Sequence, residues 1–214
     1  MRFFFFTSTL VLGACAAGNA HHAQHTAHHR FENAEAWAAR FEAPERDAWQ
    51  RPDELIAALA LAPDARVADI GAATGYFPVR LARAVPQGHV YGVDVEQTMV
   101  DFLHRRASRE GLTNLTAHLA DADDPRLPEA CDVILLVDTY HHVEARPAYF
   151  EKLRASLKPG GRLVIVDFKP GSSMGPPHKL SAQEVEAELT RAGYVLTRTH
   201  ALLPEQYFLE FQAR

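Results

Sequence analysis

The densest run of chemistry in the chain is Val67-Ala68-Asp69-Ile70-Gly71-Ala72-Ala73-Thr74-Gly75-Tyr76-Phe77. An apolar strand pattern ends in an acid, and a loop carrying Gly71 and Gly75 leads into a helix. Small residues at such a turn let the backbone approach a ligand closely. Roughly twenty residues on, Val90-Tyr91-Gly92-Val93-Asp94 ends a second strand in an acid placed to accept from both hydroxyls of a ribose. The dinucleotide fingerprint would need glycines at 71, 73 and 76, where the chain has Gly71, Ala73 and Tyr76. Nothing in the loop cradles a diphosphate, and Asp69 would repel one. A third acid, Asp138, follows the apolar run Val133 to Val137, with His141 and His142 within a turn of it. A histidine there is a candidate general base. The spacing places His141 toward a substrate and His142, beside Val143, in packing.

The elements that must hold these residues alternate. Strands are expected at 66–70, 89–93, 115–119, 132–137 and 162–168, with helices at 77–84, 96–110, 147–157 and 181–192. Residues 158–161 read as a turn before the fifth strand. Ser181 and Glu184 form a capping-box pattern, Leu180 can staple onto Val185, and Gly193 terminates that helix. Two strands near 195–201 and 206–211 follow with no helix between them, so they pair antiparallel. Alternating strands and helices give an α/β class, a Rossmann-like doubly wound sheet of seven strands, mostly parallel with an antiparallel C-terminal hairpin. In such sheets ligands bind outside the carboxyl ends of the strands, where Asp69, Asp94 and Asp138 all fall. Residues 32–62 read as a helical cover, with helices over 32–41 and 52–61 and the stretch 46–51 leading into the second. Trp37, Trp49 and Gln50 lie in this cover.

Residues 67–77 resemble motif I of the class I S-adenosylmethionine-dependent methyltransferases (type 11/25-like domains). Asp94 is similar to their ribose-binding acid. Ala120-Asp121-Ala122 followed by Leu127-Pro128 resembles their adenine-contacting segment, and Asp138 to Val143 the segment after their fourth strand. Leu157-Lys158-Pro159-Gly160-Gly161 and the strand after it resemble their fifth-strand entry. The resemblance implies S-adenosylmethionine as cofactor, contacted by Asp69, Gly71, Ala73, Gly75, Asp94, Asp121 and Ala122. It implies methyl transfer to a small-molecule acceptor, with Asp138 and His141 as the catalytic candidates. The family's middle loop glycine is Ala73 here; a methyl group is compatible with negative φ, so altered loop packing is expected. No motif marks the acceptor. The alternative is an exported, non-catalytic protein that reuses the fold to bind a nucleoside-like ligand; the joint presence of Asp69, Gly71, Gly75 and Asp94 favours the enzyme.

The chain has 214 residues, 47% hydrophobic and 23% charged, with a formal net charge of -5. That composition excludes a disordered chain, and its acidity gives no support for a nucleic-acid partner. Arg2, an apolar run to Val11 and Leu12-Gly13-Ala14-Cys15 resemble a bacterial lipoprotein signal. Residues 1–14 are then a signal peptide and Cys15 a lipidated N-terminus, the one membrane contact expected. Residues 15–31 form a tether, and 32–214 the domain. This places the protein in the cell envelope, on the periplasmic side; the alternatives are soluble export after a cut near Ala17 or Ala20 and a cytoplasmic chain. Five of the twelve histidines fall in residues 21–29; their irregular spacing reads as a tether, with capture of a transition metal as a second role, and no metal site is assigned. Cys131 reads as a buried thiol.

Overall fold

The computed structural model describes residues 33–214. The signal sequence, the lipobox at Cys15 and the histidine-rich tract lie outside the described residues.

Seven strands form one sheet: β1 (Arg66–Ile70), β2 (His89–Asp94), β3 (Leu115–Leu119), β4 (Cys131–Val137), β5 (Leu157–Phe168), β6 (Tyr194–His200) and β7 (Gln206–Ala213). Their order is β3-β2-β1-β4-β5-β7-β6. The first five run parallel, and β7 is antiparallel to both its neighbours, β5 and β6. From β1 the chain winds outward to β2 and β3 and then returns to β1's other side as β4. A crevice opens at such a reversal, outside the carboxyl ends of the strands.

The central strands are buried on both faces, which is why Val133 to Val137 reads as a continuous apolar run. Side chains alternate across the sheet. Val67, Val133, Leu135 and Val164 pack on one face with Leu55, Val79 and Leu103. Ala68, Ile134, Leu136 and Ile165 pack on the other with Phe150, Val185 and Leu189. By the same alternation Asp69 belongs with Val67, on the face that carries the helical cover.

The helices are α1 (Ala34–Phe41), α2 (Pro44–Gln50), α3 (Pro52–Ala58), α4 (Tyr76–Ala84), α5 (Gln97–Arg109), α6 (Arg146–Leu153) and α7 (Ala182–Arg191). Several bounds differ from the sequence reading, and three of the differences change the path of the chain. Residues 46–51 are not a lead-in: Pro44 starts a separate helix, α2, which ends where Arg51 turns left-handed (φ 46°) before Pro52 restarts the chain as α3. Residues 158–161 belong to a long β5, entered through a register irregularity opposite β4. The helix over 147–157 stops at Leu153, and a 3-10 turn (Arg154–Ser156) completes the descent into β5. Cys131 is buried, and burial pushes its thiol up to about 12.

Helix α7 begins as its sequence reads. Ser181 Oγ accepts from the Glu184 backbone amide at 3.3 Å, and Glu184 Oε2 accepts from the Ser181 amide at 2.7 Å. Ser181→Ala removes one arm of this box and should lower stability by about 1 kcal/mol in denaturant melts without changing the fold.

Candidate functional site

The loop after β1 is built by its neighbours before any ligand is considered. Gly71 (φ +80°) and Gly75 (φ +94°) take left-handed conformations. A Cβ on Gly71 would lie 2.2 Å from Thr139 Oγ1, and one on Gly75 2.5 Å from Leu103 Cδ1. Both positions therefore need glycine for close packing as well as for backbone freedom. Ala73 departs from expectation: its φ is +45°, not negative. The residue is held there because its amide donates to Asp94 Oδ2 at 2.8 Å. A non-glycine residue in this region costs about 1–2 kcal/mol, and the charge-assisted hydrogen bond offsets it.

Asp94 closes β2 beside this loop. Its Oδ1 accepts from the Glu96 amide at 3.0 Å. Burial raises its pKa, while the backbone amides of Glu96, Ala73 and Val95 oppose that shift. A carboxylate has roughly four acceptor sites, so Asp94 keeps capacity for a further donor beyond these amides.

Asp69 is the exceptional group. It is 3% exposed. Among the described residues no donor makes a hydrogen bond to its carboxylate, and its oxygens are not among the fully enclosed polar atoms without a partner, which are Arg66 Nε and His118 Nε2, so they keep some access to solvent. Burial pushes its pKa up to about 8; the Arg46 guanidinium opposes the shift, and Asp94 and Asp138 add to it. A buried carboxyl group with no partner is costly unless something else supplies one.

Asp138 stands across from it in the left-handed region (φ 55°), just past the last residue of β4. Arg46 approaches Asp138 Oδ2 at 3.4 Å, and Gln50 Nε2 donates to the same oxygen at 3.1 Å. Gln206 Nε2 donates to Asp138 Oδ1, and Gln206 Oε1 accepts from Gln50 at 3.1 Å. Burial pushes the Asp138 pKa up to about 6, against the pull of Arg46. Arg46 also lies 4.0 Å over the Tyr76 ring and donates to Gln50 Oε1 at 2.5 Å. Glu42 secures the same cover: Thr74 Oγ1 donates to it at 2.7 Å and Arg106 at 2.5 Å.

His141 is half-buried, and its Nδ1 lies 2.9 Å from both carboxylate oxygens of Asp167. His142 does not pack into the interior as expected. It is exposed, with its ring 4.1 Å from that of His141. The short 3-10 turn Tyr140–His142 turns Tyr140 inward instead, where its hydroxyl donates to Glu188 at 2.7 Å. Asp121 lies beyond β3 with its side chain 45% exposed and paired to Arg126. Its backbone bridges to Asp124, and Ala122 is exposed. Asp69, Asp94, Asp138 and the loop 71–75 are thus gathered at one edge, while the Asp121 side chain is turned to Arg126. Trp37 stacks on Phe41 at 5.4 Å and Trp49 lies 5.9 Å from Phe168, both within the cover.

Sequence reasoning missed Arg46, Glu42, Asp167 and Gln206. The first two act across long sequence separations and carry no local signal. Gln206 could have been found: it starts the antiparallel strand β7 and pairs with Phe168, which brings it to the carboxyl edge of β5.

A doubly wound sheet with Asp69 buried, Asp94 and Asp138 half-buried, and a left-handed loop at its reversal point has the architecture of the Rossmann class. The chain matches the methyltransferase-domain family over residues 61–202 and belongs to that family. It is 32% identical over 117 residues to phosphoethanolamine N-methyltransferase 1 of Arabidopsis thaliana, covering 54% of this chain and 23% of the relative. It is 30% identical over 126 residues to demethylmenaquinone methyltransferase of Tropheryma whipplei, covering 58% of this chain and 51% of the relative. The chain thus spans about a quarter of the length of the plant relative and half that of the bacterial one. The solved structure of a SAM-dependent methyltransferase from Aquifex aeolicus shares the fold, with a TM-score of 0.76 and 23% identity over 82% of this chain and 96% of that one.

The cost of Asp69 should be visible without any ligand. Its folded pKa is raised from 3.8 to about 8. The folded state therefore binds more protons than the unfolded one across that window, and the group's penalty on stability grows from about pH 4 and is complete near pH 8. Asp69→Asn should be more stable than the parent by at least ~2 kcal/mol at pH 8.5, the difference shrinking toward pH 4. Melts at several pH values check this; parallel curves would show that Asp69 is solvated.

Proposed function

We propose that the protein is an S-adenosylmethionine-dependent methyltransferase acting on a small-molecule acceptor. The observation that carries this reading is the buried Asp69 carboxyl group, which lacks a donor among the described residues at the edge where the family places its cofactor. A ligand with an ammonium group answers that lack. The residues present fit the whole cofactor. Asp94 has acceptor capacity left for a ribose hydroxyl, and its hold on the Ala73 amide fixes the loop beside it. Asp69 faces the ammonium. Arg46, between Asp69 and Asp138, completes a zwitterionic pair of charges for the amino-acid tail. The segment at Asp121 and Ala122 lies next to the adenine, where backbone groups serve as well as side chains.

When bound, the cofactor supplies a methyl group on a positively charged sulfur. Everything else is alignment and exclusion of water, the work of helices α1 to α3. Gln50 is fully buried and Gln206 is 1% exposed, so the amide groups that hold Asp138 are shielded from water. Such shielding strengthens the charge interactions beside it. The acidic chain favours a small-molecule acceptor over nucleic acid. We further propose that the protein is exported and held in the bacterial cell envelope by a lipid on Cys15, on the strength of the Leu-Gly-Ala-Cys run.

Calorimetry with S-adenosylmethionine tests the cofactor. At pH 7 the free protein carries a proton on Asp69, and ion-pairing with the ligand ammonium displaces it. Binding should therefore release protons, measured as a dependence of the observed enthalpy on buffer ionisation heat, and Asp69→Asn should abolish the release. Asp94→Asn should weaken binding at least about tenfold, since hydrogen bonds to charged groups are each worth ~1.5–3 kcal/mol. No binding at all would favour the reused, non-catalytic fold.

A further inference from the structure

Asp167 is the penultimate residue of β5, buried at 3% exposure. Its carboxylate is aimed by two backbone amides: Phe168 donates to Oδ1 at 2.8 Å and His141 to Oδ2 at 3.2 Å. The remaining contact is the His141 ring, with Nδ1 2.9 Å from each oxygen. An ionised carboxylate only accepts, so Nδ1 must be the donor and carry the ring proton. The other nitrogen, Nε2, then presents a lone pair. It makes no hydrogen bond to a described residue. Nor is it sealed in, because the buried side-chain nitrogens lacking a partner among the described residues are Arg66 Nε and His118 Nε2. The ring is 16% exposed and stands one turn past Asp138, close enough for the charges of His141 and Asp167 both to act on Asp138.

We propose that Asp167 is a positioning residue that fixes His141 as the general base of the methyl transfer, and that the acceptor is a proton-bearing oxygen of the phenol or enol class. The inference rests on the methyltransferase reading above. The acceptor oxygen forms its bond to the methyl carbon as the carbon–sulfur bond breaks, and that electron pair stays on sulfur, which becomes a neutral thioether. His141 Nε2 takes the acceptor's proton, Asp167 stabilises the imidazolium, and the proton then passes to water. The products are a methyl ether, the thioether and one proton. A base at this place serves an acceptor that must lose a proton as it is methylated, which a phenol or enol oxygen does. A neutral amine would need no base for the transfer itself. Asp138 is otherwise engaged, its oxygens held by Arg46, Gln50 and Gln206. The groups facing the His141 ring are Asp167, Asp138 and His142.

The test uses the full chain and needs no acceptor. Nitrogen-15 spectra of histidine-labelled protein at pH 8, with His141→Gln to assign the signal, read the tautomer directly. The proposal expects the proton on Nδ1, and a proton on Nε2 overturns it. Carbethoxylation by diethyl pyrocarbonate, followed residue by residue with mass spectrometry, reads access to Nε2. Its rate at His141 should fall about tenfold or more with S-adenosylmethionine at ~100 times its Kd, and fall again in Asp167→Asn as the tautomer reverses. A His141 rate indifferent to S-adenosylmethionine, in protein shown by calorimetry to bind it, overturns the placement of the base. Calorimetry that shows no binding overturns the methyltransferase reading itself, and the role of the base with it. The tautomer and the protection are both read in the unsubstituted chain, so a poorly folding Asp167→Asn does not shield the proposal.

Discussion

A carboxyl group buried without a hydrogen-bond partner is the constraint around which this edge of the molecule is arranged. Asp69 is placed under the helical cover by strand alternation, and burial keeps it protonated to about pH 8. Leaving such a group in place costs stability, and a fold under no other demand would replace it with an apolar residue. The surroundings are tuned to that cost. Asp94 and Asp138 make ionisation of Asp69 harder, and Arg46 makes it easier. The edge therefore holds several acids and one guanidinium in balance, which is the electrostatic complement of a ligand that carries both an ammonium and a carboxylate.

The sheet topology explains why these groups meet. Asp69 and Asp94 end adjacent parallel strands, and Asp138 follows β4 on the other side of β1. The antiparallel β7 contributes differently. Because it runs against β5, its first residue reaches the edge that the parallel strands reach with their last, and Gln206 arrives at Asp138. The cover is tied to this edge through Glu42, Arg46, Asp47 and Gln50, the acid Asp47 accepting from the Tyr76 hydroxyl. Loop, strand ends and cover thus share side chains, so displacement of the cover must disturb the loop.

Much of this was legible in the sequence, and the failures have physical causes. Strands β1 and β3 fall within the expected bounds because apolar runs and turn residues mark them locally. The capping box of α7 was legible because all its members lie within four residues. Helix α2 was missed because it has barely two turns, too few for periodicity to register, and only Pro44 marks its start. The φ of Ala73 was misjudged because a methyl group argues for negative φ, while a carboxylate twenty residues on holds the amide in the other basin. His142 was assigned to packing from its neighbour Val143, but a single 3-10 turn directs Tyr140 inward in its place. The pairing of His141 with Asp167 depends on β4 and β5 lying side by side in register, which no local pattern reveals.

The central claim is that this edge recognises the amino-acid end of the cofactor through its buried charges. The direct measurement is calorimetric comparison of S-adenosylhomocysteine with 5′-methylthioadenosine, which keeps the adenosine and lacks the amino-acid portion. The account predicts that S-adenosylhomocysteine binds at least about tenfold more tightly at pH 7, a difference of ~1.4 kcal/mol or more. Equal affinities would contradict it, showing that Asp69 and Arg46 take no part in holding the ligand.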